Sequence, residues 1–362
     1  MERDTMTETT MKAVQIHGPG DFSVERIPIP VPGRNEVLVK IWAVAICGSD
    51  PGIFNGKVLH NGWPPYYPFV AGHEFAGEVA ALGPGALKLK RGDRVAGEAH
   101  CGCGICEQCQ KGFYNLCLNY GNRAMGHRHY GHNTAGCYAQ YQVYDQKVLT
   151  PLPKNVSYDE GTLADTAGTA YNALRLTGVV PSGWTAIIGP GPMGILAMLL
   201  AKAQGSRTVV VGRGRRLQVA KELGATEVLD FEHSGDVVAE VREITGGYGA
   251  HQVIEAAGSA STYMESIRMA RKGGHVALIS IPPRDGQEAA LKTLVMNQIT
   301  LHGVRANPNC SAEVLDLMSS GMVDAKRILT HAFPIDEIHE AFDTFIKRKD
   351  GTVKVLIHPN DP

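Results

Sequence analysis

The sequence predicts an α/β chain in which a parallel, doubly wound sheet is inserted into a β-rich, loop-rich domain. Three observations predict it. Strands and amphipathic helices alternate between about residues 165 and 306, short β-type runs broken by Pro and Gly fill residues 12–144, and from about Asn307 the pattern changes again to two helices and a last strand. The expected division is therefore 1–164 together with 307–362 as one domain and 165–306 as the other. A length of 362 residues suits two domains. A balance of 35 Lys plus Arg against 36 Asp plus Glu, with 44% hydrophobic residues, excludes a disordered chain and a basic nucleic-acid footprint. Apolar runs such as 195–201 and 209–211 are too short to cross a bilayer, and the start of the chain carries Glu2, Asp4 and Glu8. A soluble, cytoplasmic protein with no membrane or nucleic-acid partner is expected.

In the first region, residues 13–16, 37–44, 75–80 and 138–144 read as strands. Residues 27–33 hold Pro28, Pro30 and Pro32, whose missing N–H groups keep this segment out of a central strand. In the second region, 185–188, 208–211, 252–255 and 275–281 read as strands, with helices at 194–204, 215–223 and 262–270 between them. The last region has helices near 312–319 and 335–348 and a strand at 353–357.

Gly189, Pro190, Gly191, Pro192, Met193 and Gly194 follow the strand 185–188 and open the helix 194–204, which gives G-x-G-x-x-G the context it needs. Gly189 permits the tight turn, Gly191 lets a pyrophosphate approach the backbone, and Gly194 lets helix and strand pack closely, with the phosphates at the helix N-terminus. A dinucleotide site is expected. At the end of the second strand, where an acidic residue would hold a ribose 2′-hydroxyl, stands Gly212, followed by Arg213, Gly214, Arg215 and Arg216. Gly leaves room for a 2′-phosphate, and a guanidinium supplies charge-assisted bonds to it. Arg213 is the strongest candidate, with Arg215 either a second contact or part of a solvated helix start. NADP(H) is predicted over NAD(H).

Five of the eight cysteines crowd between Cys101 and Cys117. The series Cys103, Cys106, Cys109, Cys117 supplies four soft ligands suited to tetrahedral zinc in a closed, structural site, a better account of such bunching than disulfides. Cys101, Cys137 and Cys310 have no assigned task. Three further candidates are dispersed: Cys47 in Cys47-Gly48-Ser49-Asp50, His73 in Gly72-His73-Glu74, and Asp165. Spacing alone does not bring them together.

With these motifs in this order, and with a Gly136 to Tyr141 strand between them, the chain resembles the zinc-dependent medium-chain alcohol dehydrogenases from about Met11 to His358. It looks most like the threonine and polyol (sorbitol) dehydrogenase branch, through Ile281-Pro282-Pro283 and Leu329-Thr330-His331 onward to Phe342. The resemblance implies a GroES-like catalytic domain beside the Rossmann domain, one catalytic and one structural zinc per chain, and a small polar alcohol as substrate. It also implies a homo-oligomer, tetramer or dimer. The catalytic zinc would be held by Cys47, His73 and Asp165. Asp50 would orient the His73 imidazole through its other nitrogen, and Ser49 would take the substrate's proton. One thiolate and one carboxylate neutralise Zn²⁺, whereas Glu74 as a further ligand would make the site negative and weaken its acidity; Glu74 is therefore expected nearby or as a transient ligand. The expected reaction is hydride transfer between NADP(H) and a secondary alcohol or ketone of a polyol, sugar or amino alcohol. Alternatives are an enzyme like L-threonine 3-dehydrogenase, a ketone reductase and, remotely, a non-catalytic zinc and nucleotide binder. One position departs from the branch. Where relatives often carry a relay His, five residues after the first Cys ligand, this chain has Gly52. His60, His127, His129 and His132 are the candidates for a replacement relay or for substrate contacts, unless they are ordinary surface-loop side chains.

Overall fold

A computed structural model of the chain describes residues 8–282, 285–286 and 288–360. Pro283, part of the branch resemblance, lies outside them. The chain divides into two compact units, Met1–Asp165 with Leu329–Pro362, and Thr166–Ile328. Residues 307–328 thus fall in the second unit, unlike the expected division. The reason is local: Asn172 Nδ2 donates to the Ala306 carbonyl, Arg175 donates to the Pro308 carbonyl, and Gly168 leaves room for Asn307, whose Cβ would lie 2.8 Å from a Cβ at 168.

The first unit is built on a seven-stranded sheet. Its order is Leu329–Pro334, Lys354–His358, Glu36–Ala45, Glu74–Leu82, Arg94–Gly97, Leu149–Pro151, with Tyr141–Asp145 also paired to Glu36–Ala45. Glu36–Ala45 and Glu74–Leu82 pair antiparallel and are buried on both faces, so they read as almost unbroken apolar runs. The expected strand at Gly136 to Tyr141 begins only at Tyr141. Before it the backbone serves two neighbours in turn: Val14 N bonds to the Tyr138 carbonyl, Gln140 N to Lys12 and Ile41 N to the Gln140 carbonyl. No continuous ladder can form there. The Pro-rich segment behaves as expected, since Asp21–Pro28 pairs only with Thr10–Gly18 and residues 29–33 are irregular.

The second unit is a six-stranded parallel sheet in the order Glu227–Asp230, Arg207–Gly212, Trp184–Ile188, Ala250–Glu255, Ala270–Leu278, Thr300–Gly303. Numbered along the chain this is 3-2-1-4-5-6, the doubly wound order whose switch point lies beside the first strand. That strand ends at Ile188, directly before the Gly-rich turn. The helices Pro192–Ala203, Gly214–Glu222 and Ala260–Met269 cover the three helical stretches expected from periodicity. Unexpected elements are the helices Ala164–Thr177 and Val237–Ile244 and the short strands Glu227–Asp230 and Thr300–Gly303.

Candidate functional site

Cys47 lies just after the strand Glu36–Ala45, and His73 and Glu74 lie at the start of its neighbour Glu74–Leu82. The pairing of Ala45 with Glu74 therefore brings the two motifs together. One ligand atom from each of Cys47, His73 and Glu74 lies within 4.8 Å of the others. Asp165, in the first turn of Ala164–Thr177, is partly buried beside them, but it does not belong to that close group; its Oδ2 accepts from Ala99 N at 3.2 Å. The close group is thus Cys47, His73 and Glu74, with Asp165 adjoining it.

The electrostatics explain why Glu74 is tolerated. Glu74 and Lys354 are both 2% exposed, and Lys354 Nζ pairs with Glu74 Oε2. Lys354 offsets the negative charge that argued against Glu74 as a ligand. It was missed in the sequence, although a lone Lys within the apolar run 353–357 was a signal. Burial alone would lower the His73 imidazole, but Cys47 beside it, then Asp50 and Asp165, more than reverse this and push it up to about 10. Burial pushes the Asp165 carboxyl up to about 6 against the pull of His73. Burial likewise raises Asp50. Asp50 Oδ2 accepts from Cys47 N at 2.8 Å and from the Tyr138 hydroxyl at 2.7 Å, while Oδ1 stands 3.6 Å from His73 Nδ1. Asp50 is thus on the side of the imidazole expected for an orienting carboxylate, slightly beyond hydrogen-bond length. The Ser49 Oγ is buried and has no hydrogen-bond partner among the described residues.

The four-cysteine lobe forms a second donor group. One sulfur from each of Cys103, Cys106, Cys109 and Cys117 lies within 4.8 Å of the rest, and all are free thiols. The Cys103–Cys109 and Cys106–Cys117 sulfurs are 3.9 Å apart. That matches the edge of a tetrahedron with Zn–S of about 2.3 Å, roughly 3.8 Å, and is far from a disulfide. Gly104 and Gly112 take φ of +79° and +85°, the bends the lobe needs. Burial opposes ionisation of Cys103, yet donors from Asn119, Ile105 and Cys106 bring its thiol down to about 6.

In the second unit, a Cβ at Gly194 would lie 2.0 Å from the Gly189 carbonyl oxygen, whereas a Cβ at Gly191 would meet nothing within 4 Å. Close packing and an open approach thus fall where a bound pyrophosphate requires them, with Gly191 capping Pro192–Ala203 and Met193 in its first turn. Gly212 is different, because a Cβ there would lie 2.3 Å from Pro190. Its missing side chain is explained by packing against the Gly-rich turn. Arg213 pairs with Glu232 at 2.5 Å, and Arg215 with Glu222 at 2.6 Å. Each guanidinium already has an acidic neighbour.

Of the four histidines singled out, His60 is exposed in a short turn. The others are not surface side chains: His127, His129 and His132 are 0, 4 and 5% exposed. His132 packs on His73 at 4.7 Å between ring centres, and His129 stacks on His132 at 3.8 Å.

Comparison with known proteins gives one answer. Residues 33–154 match the alcohol dehydrogenase GroES-like domain and residues 192–320 the zinc-binding dehydrogenase domain. The chain is 31% identical over 361 residues to a sorbitol dehydrogenase of Bacillus subtilis (strain 168), covering 98% of this chain and 100% of the relative. It is 31% identical over 354 residues to an L-threonine 3-dehydrogenase of Bacillus licheniformis, covering 96% and 99%. Among solved structures, a zinc-binding dehydrogenase from Sinorhizobium meliloti 1021 bound to NADP superposes with a TM-score of 0.86 at 28% identity, covering 97% and 100%.

Proposed function

Since the chain belongs to the zinc-dependent medium-chain alcohol dehydrogenase family, we propose that it oxidises a secondary alcohol of a polyol, sugar or amino alcohol, with NADP⁺ preferred over NAD⁺. The observation that carries this reading is the close group of half-buried Cys47 with buried His73 and Glu74, and the Ser49 hydroxyl two residues from Cys47, which has no partner among the described residues. A thiolate, an imidazole and a carboxylate are a donor set that zinc accepts in catalytic sites. When bound, zinc supplies Lewis acidity that makes the substrate hydroxyl easier to deprotonate, and NADP⁺ supplies the hydride acceptor. Cys47 and His73 are assigned as ligands. Glu74 is within reach as the third, with Asp165 as the adjoining carboxylate. Asp50 holds the Cys47 backbone and faces His73, which fixes both donors. Ser49 Oγ, free to accept, takes the substrate proton; onward transfer cannot use a side chain at Gly52. The cysteine lobe is assigned a second, structural zinc.

The cofactor preference rests on Arg213 beside the end of the strand Arg207–Gly212, and a structural neighbour carries NADP. The test is reduction of NADP⁺ and NAD⁺ across polyols, aldoses, inositols, amino alcohols and threonine, with zinc measured on the same sample. Turnover of a polyol or sugar alcohol that is lost on chelation supports the reading; zinc-loaded protein inert on the whole panel overturns it.

A further inference from the structure

The first unit contains a pocket of about 390 Å³ whose lining includes Asn61, Trp63, Tyr66, Tyr120, Arg123 and Asn133. Its aromatic walls are held from behind by buried histidines. The Tyr120 hydroxyl is 2.6 Å from His129 Nδ1, and the Trp63 ring stands edge-on to His129 and His132 at 5.3 and 4.8 Å. His132 in turn packs on His73. A single imidazole therefore links the pocket wall to the metal-ligating group.

The polar side of this pocket is formed by Asn61, Asn133 and Arg123. Asn133 is 9% exposed, and its Oδ1 accepts from His129 N and Thr134 Oγ1. Because a backbone N–H can only donate, that fixes the amide's orientation and leaves Nδ2 as its free end. Nδ2 has no hydrogen-bond partner among the described residues, and neither has the Trp63 indole N–H. Two buried donors without partners are costly unless something accepts from them. Arg123 is exposed and is the one charged residue among the described lining residues; none of them is a carboxylate. Aromatic faces suit the C–H faces of a sugar or polyol chain, while the exposed guanidinium suits an oxyanion, and the residues of the two buried donors belong to the same lining. An ammonium group would find no counter-charge here.

We propose that this pocket receives an anionic terminal group, phosphate or carboxylate, on a polyol or sugar whose remote secondary hydroxyl is oxidised at Cys47 and His73, and that Arg123 determines specificity for it. This rests on the dehydrogenase reading above and narrows its substrate class.

The test uses full-length, zinc-loaded enzyme as wild type, Arg123→Met and Arg123→Lys. Each is assayed for kcat/KM on a hexitol, the corresponding hexitol phosphate and an aldonate, and titrated calorimetrically with the hexitol phosphate. The wild type should favour one of the anionic substrates over the hexitol by at least about tenfold, and the phosphate and aldonate arms identify which. Arg123→Met should reduce that ratio about tenfold, mainly through KM, and Arg123→Lys should restore part of it. Turnover of neutral and anionic substrates with equal efficiency, unaltered by Arg123→Met, overturns the pocket assignment and leaves the dehydrogenase reading intact. Absence of all turnover, with hexitol phosphate still bound and that binding weakened about tenfold by Arg123→Met, keeps the pocket and overturns the dehydrogenase reading instead.

Discussion

Lys354 shows how one buried residue alters the account of a site. Its ammonium and the Glu74 carboxylate are both almost fully buried. Removing one partner of such a pair strands the other charge, which costs about 3–5 kcal/mol, whereas removing both is often nearly neutral. Lys354→Met should therefore destabilise the zinc-free protein by about that much in denaturant unfolding, and Glu74→Gln added to it should recover most of the loss. A Lys354→Met loss below about 1 kcal/mol would show that the pair carries no such burden. A second residue-scale effect depends on pH. The hydrogen bond from His358 to Asp159, at 2.8 Å, outweighs partial burial and raises the His358 imidazole above its ordinary value. A raised folded-state value stabilises below the unfolded value near 6.5 and loses that stabilisation as pH rises through the folded one. Both side chains are about a third exposed or more, so solvent screening holds the effect to about 1 kcal/mol at most. The Tm advantage of wild type over His358→Gln should accordingly be fully present below about pH 6.5 and shrink as the pH rises above it; an advantage that grew with pH would refute this.

At the scale of elements, the lobe of residues 103–117 and the Gly-rich turn carry separate predictions. Cys109→Ser should remove about one zinc per chain and lower Tm, because the lobe's bends are organised around four sulfurs. Cys47→Ala should remove the other zinc and abolish activity with little change in Tm. Loss of both zincs, or of neither, in either variant would refute separate sites. For the cofactor, Gly212→Asp is a poor probe, since its Cβ would strike Pro190. Arg213→Ala alone should lower the NADP⁺ to NAD⁺ ratio of kcat/KM by about tenfold, and an unchanged ratio would remove Arg213 from the site. Both motifs were legible in the sequence because their residues act over short spans. The Cys47, His73 and Glu74 group was legible only through family resemblance, since strand pairing, not spacing, joins it. Lys354 enters that site from the last strand, and Asn133 enters the neighbouring pocket from a loop, so no local pattern announced either. The strands Glu227–Asp230 and Thr300–Gly303 were missed because four residues are too few for a periodicity to show.

At the scale of the whole molecule, the two outer strands of the parallel sheet differ in a way that bears on assembly. Glu227–Asp230 begins and ends with carboxylates, which guard an edge against pairing. Thr300–Gly303 at the other edge has no acidic or basic residue beyond His302, and Leu301 on it is 39% exposed. The short helix Leu291–Met296 earlier in the chain leaves Leu291, Val295 and Met296 at 65, 72 and 73% exposure. An uncharged edge strand, in a chain that also exposes a run of large apolar side chains just before it, is costly to leave in water and supports the expected homo-oligomer. A second copy using the same edge would pair the two strands about a two-fold axis. Light scattering coupled to gel filtration should therefore find a dimer or tetramer. Leu301→Lys with Val295→Glu, which places charge on the edge and on the helix, should shift the protein to smaller species without unfolding it, as circular dichroism would verify. A monomeric wild type, or an oligomer indifferent to both substitutions, would remove this edge from the assembly.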